Sequence, residues 1–117
     1  HHISFKYAAQ GILYVFKTQP NFRIHSFATV IVLASSWYFQ ITRLELIILL
    51  FTIMLVLVTE MLNTAVEAMT DLISLKHHHY AKVSKDVAAG MVLLSACLAI
   101  VIGLYIFTPY LYNTFFI

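Results

Sequence analysis

From Leu46 to Val58 the chain runs without a charge, and Thr52 is the only polar residue in that run. Two more stretches resemble it. Phe27 to Phe39 is broken only by Thr29 and Ser35-Ser36, and the stretch from about Tyr80 to Phe107 gathers Lys82, Ser84, Lys85 and Asp86 at its start. The chain has 117 residues, one domain's length rather than two. It is 10% charged and 62% apolar, whereas a soluble domain carries about 25% charge. These values exclude an ordinary soluble globule and a disordered segment. The single cysteine, Cys97, excludes a disulfide scaffold. The net charge of +2 is too small for a nucleic-acid binder. The expectation is an integral membrane protein whose chemistry comes from a few polar side chains.

Four segments are predicted. The first, about residues 3–17, sets Lys6, Gln10 and Lys17 within a narrow arc of a helix, with Phe5, Ala8, Ile12 and Phe16 on another side. It is short for a span and suits a helix lying in the membrane interface; the alternative is a partner-facing helix. Gln19-Pro20-Asn21 breaks it. Spans are expected at about 22–41, 44–71 and 80–107, the last ending at Thr108-Pro109. Trp37 and Tyr38 stand where an aromatic belt would place them. Some 30 residues of helix measure roughly 45 Å, against a hydrocarbon core of roughly 30 Å, so one end of the third segment should leave the oil.

Lys6, Lys17 and Arg23 precede the first span, and Lys76, Lys82 and Lys85 follow the second; only Arg43 is in the other short loop. That bias places the N-terminus and the 72–82 loop in the cytoplasm. No cleavable signal is expected, because the first apolar segment lacks an Ala-x-Ala type site.

At about 100° per residue, Glu60, Asn63, Glu67 and Asp71 fall at about 0°, −60°, −20° and +20°, one polar stripe on an apolar helix. Lys82, Lys85 and Asp86 share one side of the next helix. Carboxylates aligned in this way repel each other unless a cation lies between them. Lys82 and Lys85 are one source, and a divalent metal is the other. Oxygen ligands without cysteine point to Mg²⁺. A solvated helix end is the plainer reading, but the one-sidedness of the stripe favours a cavity or a partner. No phosphate-binding glycine loop is present. His77-His78-His79 suits a basic loop near headgroups, and His25 reads as an interfacial residue rather than a ligand. Cys97, Gly103 and the methionines read as packing, and Ala88-Ala89-Gly90 as a close helix–helix contact.

The element Glu60-Met-Leu-Asn63-Thr-Ala-Val-Glu67-Ala-Met-Thr-Asp71 resembles the signature of the small prokaryotic diacylglycerol and undecaprenol kinases. Ala81-Lys-Val-Ser-Lys85-Asp86-Val-Ala-Ala-Gly90 resembles their second block. Ser4 to Gly11 and Asn21-Phe-Arg-Ile-His25 resemble their N-terminal part, so that the likeness covers about 4–107. The resemblance implies an all-α membrane protein, with three transmembrane helices and an amphipathic surface helix, assembled as a homotrimer with shared sites at the cytoplasmic surface of a bacterial inner membrane. It implies one lipid kinase domain over 1–117 that transfers the γ-phosphate of MgATP to a lipid hydroxyl. Glu60 matches the general base, and Glu67 a metal ligand. Asn63, Asp71, Lys85 and Asp86 match positions that shape the nucleotide and phosphate site. A second metal-binding glutamate is usual three residues before the Phe-Arg pair; here Gln19 stands in its place and brings a carbonyl without a charge. A weak or inactive enzyme is the alternative that Gln19 raises. A membrane ion pathway or a scaffold is the non-enzymatic one, and the apolar run from Leu46 to Val58 argues against the pathway. Asn21 to His25 and Lys85 to Gly90 look closer to the undecaprenol kinase branch, with diacylglycerol open.

Overall fold

The computed structural model describes residues 2–73 and 78–117, with side chains from Ser4 onward. Among these residues the chain is all helix: α1 (His2–Thr18), α2 (Pro20–Phe39), α3 (Arg43–Ile73) and α4 (His79–Phe115). The all-α expectation therefore holds.

Each boundary has a local cause. Gln19 leaves the helical region at φ −111° and ψ 105°, and Pro20 occupies the first helical position, where its missing N–H costs nothing. Arg23 then donates from Nη1 to the carbonyls of Phe16 at 2.9 Å and Lys17 at 2.8 Å, which closes the end of α1 and fixes the corner between α1 and α2. At the far end of α2, Gln40 turns left-handed at φ 53°. The amides of Gln40 and Ile41 reach back to Trp37 O and Ser36 O, both at 3.3 Å. This is a Schellman closure with glutamine where glycine is usual. Thr42 and Glu45 form a reciprocal cap on α3. Thr42 Oγ1 accepts from the Glu45 amide at 3.1 Å, and Glu45 Oε1 accepts from the Thr42 amide at 2.9 Å. Thr42→Ala should lower stability by about 1 kcal/mol, read as an earlier unfolding midpoint of the detergent-solubilised protein.

The expected stop at Thr108-Pro109 is corrected, since α4 continues through Pro109 to Phe115. A proline forfeits one backbone bond but does not forbid its successors from helical geometry. Tyr110 Oη donates to Glu45 Oε1, tying this last stretch to the start of α3.

α3 and α4 form an antiparallel hairpin. Three contacts give its register: Glu45 with Tyr110, Thr59 with Ser95, and Asp71 with Lys85. As one number rises, the other falls by nearly the same step. The Thr59–Ser95 hydroxyl pair is buried at 2.8 Å. α3 turns Leu49, Thr52, Val56, Thr59, Glu60 and Thr64 inward, and α4 turns Ala88, Ser95 and Ile106 inward. Ala88, 1% exposed, carries the close contact expected around Gly90. A methyl group added at Gly90 or Gly103 meets nothing within 4 Å, so neither glycine is needed for packing inside this chain. Cys97, Met54 and Met69 are likewise exposed rather than packed.

Among the described residues, α3 and α4 are long and apolar enough to cross a membrane. Only 28% and 11% of their most apolar windows are buried by the rest of the chain. A core helix of a soluble protein would be mostly covered. These faces require lipid or further protein against them. The 31 residues of α3 span about 46 Å, more than the roughly 30 Å of a bilayer core.

Candidate functional site

The polar stripe on α3 exists, and its burial is graded. Glu60 is only 2% exposed, Asn63 and Glu67 are half-buried, and Asp71 is exposed. The stripe therefore leads from an enclosed carboxylate to water within three turns of helix. Asn63 Nδ2 donates to Glu67 Oε1 at 3.1 Å, as residues four apart on a helix can. Asn63 Oδ1 and Glu60 Oε1 are buried without a hydrogen-bond partner among the described residues. Buried polar atoms are nearly always paired, so two such oxygens on one stripe mark a place built to receive a donor or a cation.

The neighbouring helices supply positive charge unequally. Lys85 Nζ reaches Asp71 Oδ1 at 2.6 Å, from α4 to α3. Both partners are largely exposed, so the pair adds little stability, and its effect is to hold an ammonium over the outer end of the stripe. Lys82 does not join it. Its Nζ pairs instead with Asp86 Oδ2 at 2.6 Å, one turn along the same helix. The structure thus brings Lys85 to the carboxylates of α3 and leaves Lys82 and Asp86 as a separate exposed pair.

His25, interfacial on the sequence pattern alone, joins the site. Its Nε2 lies 3.5 Å from Glu60 Oε1, and its side chain is 28% exposed. The antiparallel course of α2 and α3 produces this contact. The sequence signal was available in the fixed distance of His25 from the Pro20 break, but it needed the α2–α3 register to be read. His78 also has a local role, since its Nδ1 accepts from the Tyr80 amide at 3.1 Å and caps α4. His77 lies outside the described residues, as does Lys76.

Gln19 sits half-buried at the α1–α2 corner. Its amide nitrogen meets Thr18 Oγ1 at 3.5 Å and makes no bond to Glu67. Among the described residues no three His, Cys, Asp or Glu side chains converge as a metal cage. That donor set suits Mg²⁺, which commonly takes one or two carboxylates and fills its octahedron with waters and substrate phosphates. Glu67, with one oxygen engaged by Asn63 and the other without a bond among the described residues, and the Gln19 carbonyl would be the protein's share.

The family model for prokaryotic diacylglycerol kinase matches residues 6–107. The chain is 42% identical over 102 residues to a diacylglycerol kinase of Synechocystis sp., covering 86% of this chain and 58% of that protein. It is 40% identical over 106 residues to the undecaprenol kinase of Bacillus subtilis, covering 91% of this chain and 86% of that protein. A diacylglycerol kinase of Haemophilus influenzae is 30% identical over 95 residues, covering 81% of this chain and 80% of that protein. The chain thus spans less than two thirds of the Synechocystis relative and most of the other two.

Proposed function

The chain belongs to the prokaryotic diacylglycerol kinase family, and from that premise we propose that it transfers the γ-phosphate of MgATP to the hydroxyl of a membrane lipid alcohol. The observation that carries this reading is the graded stripe of α3, with a buried, unpartnered Glu60 oxygen at one end and exposed Asp71 at the other. A lipid alcohol arrives from the apolar side and a nucleotide from water. A single helix face joins the two.

Glu60 takes the proton of the attacking hydroxyl. Asn63 holds the phosphate end of the nucleotide, and Glu67 and Gln19 would hold the metal beside it. Asp71 and Lys85 shape the outer part of the site, where the Lys85 ammonium offsets phosphate charge, and Asp86 joins them on leaving its pair with Lys82. Mg²⁺, when bound, would neutralise phosphate oxygens. Phosphoryl transfer asks for positioning and charge neutralisation more than covalent chemistry, and these residues offer both.

The uncovered faces support an assembly of several copies. α2 is the third span beside α3 and α4, and α1 lies along the interface, with Phe5 and Ile12 exposed on its apolar side. Lys6, Lys17, Arg23, Lys82 and Lys85 fall at the end of the bundle that carries Asp71, and Arg43 at the other. The positive end is cytoplasmic. Three copies would cover the apolar flanks of α3 and α4 and place the site between protomers.

Relatives named for both lipids match to similar extents, so the substrates must be compared directly. The test is transfer of radiolabel from ATP to diacylglycerol and to undecaprenol in mixed micelles with Mg²⁺, run beside a Gln19→Glu variant. Labelling of either lipid is expected. A reaction seen only with the variant would make the natural chain the weak member that Gln19 suggests. Failure of both proteins on both lipids would overturn the reading.

A further inference from the structure

We propose that His25 carries the proton away from Glu60 during each turnover. The inference rests on the reading of Glu60 as the group that takes the proton from the lipid hydroxyl.

A base enclosed by protein has a second problem after it has worked. The Glu60 side chain is 3% exposed, so a proton placed on it has no direct route to water, and the base is not reset. Its Oε1 makes no hydrogen bond. The neighbours on α3 are committed elsewhere: Thr64 Oγ1 donates to the Glu60 backbone carbonyl at 3.0 Å, and Asn63 Nδ2 donates to Glu67. Lys85 is held by Asp71. His25 has the required place. Its Nε2 stands 3.5 Å from the unpartnered Glu60 oxygen, and its ring is 28% exposed, so one side meets the carboxylate and another is left uncovered by this chain. A few tenths of an ångström of approach turns this separation into a hydrogen bond. The ring is held in register, because Arg23, two residues earlier, is anchored to the end of α1 by two hydrogen bonds.

The step balances as follows. The hydroxyl oxygen of the lipid bonds to the γ-phosphorus as the bond from that phosphorus to the bridging oxygen of ADP breaks. The hydroxyl proton passes to a Glu60 carboxylate oxygen. The neutral imidazole, carrying its own proton on Nδ1, accepts that proton at Nε2. The imidazolium then releases one proton to water from its exposed side, and Glu60 is again a carboxylate. His25 acts through Glu60 and not on the substrate. A neutral amide cannot replace it, because an amide nitrogen does not take up a proton near neutral pH.

The test measures kcat and KM for ATP and for lipid in the wild type, His25→Ala, His25→Gln and Glu60→Gln, with and without added imidazole. His25→Ala should lose about 100-fold in kcat, with both KM values nearly unchanged, and imidazole should restore much of the rate. His25→Gln, close to histidine in size, should elute and melt like the wild type and stay slow. A folded His25→Gln protein with wild-type kcat would overturn the relay alone, provided Glu60→Gln is dead. A loss in His25→Ala that imidazole does not relieve would also overturn it, since the role would then be packing. An active Glu60→Gln variant, or a chain inactive both as it stands and with Gln19→Glu, would overturn the base assignment and the relay together.

Discussion

Glu60→Gln should abolish most lipid phosphorylation, by about 10³-fold in kcat, within the range for loss of a general base. The same variant should fold at least as well as the wild type. Glutamine keeps the volume of glutamate and removes its charge. Glu60 is 2% exposed, and its Oε1 has no hydrogen-bond partner, so the native carboxylate carries a desolvation cost that no bond offsets. The 3.5 Å contact to His25 is the only charge partner within ion-pair distance among the described residues, and that ring is partly uncovered by this chain. A residue kept for packing would behave in the opposite way, losing stability when changed and activity only in proportion. The checks are an initial-rate assay and a melting curve in the same detergent. Activity within about threefold of wild type would remove Glu60 from the chemistry, whereas a collapse of the fold would show that the carboxylate holds a bond in the assembly. The opposite movement of rate and stability is the trade expected where a site is maintained against its own energetic cost.

Much of this arrangement was readable in the residues, and the exceptions share one cause. The helical stripe of Glu60, Asn63, Glu67 and Asp71 needs only the period of one helix, and the structure keeps it, including the turn-to-turn bond from Asn63 to Glu67. The Gln19-Pro20 break needs only local chemistry, and it stands where expected. His25, by contrast, joins the stripe through the register of α2 against α3, which no local pattern encodes. Lys82 reads as a companion of Lys85 because both fall on one side of α4, yet an i,i+4 carboxylate on its own helix holds it. Pro109 reads as a stop in isolation; in the fold, the Tyr110 bond to Glu45 helps hold the helix beyond it. Gly90, Met54 and Met69 read as packing residues, yet this chain alone gives them little to pack on, because the surfaces of α3 and α4 are largely uncovered.

Exchanging charge between two positions should move the magnesium requirement in opposite directions. Glu67→Gln is nearly isosteric and preserves an acceptor for Asn63 Nδ2, which now donates to Glu67 Oε1 at 3.1 Å, so the change removes charge with little change of shape. Loss of an outer partner of a metal ligand commonly costs about 10- to 100-fold in affinity, and loss of charge on a ligand itself should cost at least that much. The Mg²⁺ concentration for half-maximal rate should rise accordingly, with a fall in kcat that excess Mg²⁺ relieves only in part. Gln19→Glu adds a carboxylate at the α1–α2 corner, where Pro20 and the Arg23 anchors hold the backbone in place. Ligand charge count is a main determinant of affinity for hard cations, so this variant should work at lower Mg²⁺ than the natural chain. The double variant should lie between the two. Calorimetric titration of MgADP into the detergent-solubilised protein gives a second readout that does not require turnover. Equal magnesium dependence in all four proteins, by rate and by calorimetry, would show that neither position meets the metal. A shift for Glu67→Gln alone would keep Glu67 and dismiss residue 19, in agreement with the absence of any bond between Gln19 and Glu67 in the structure.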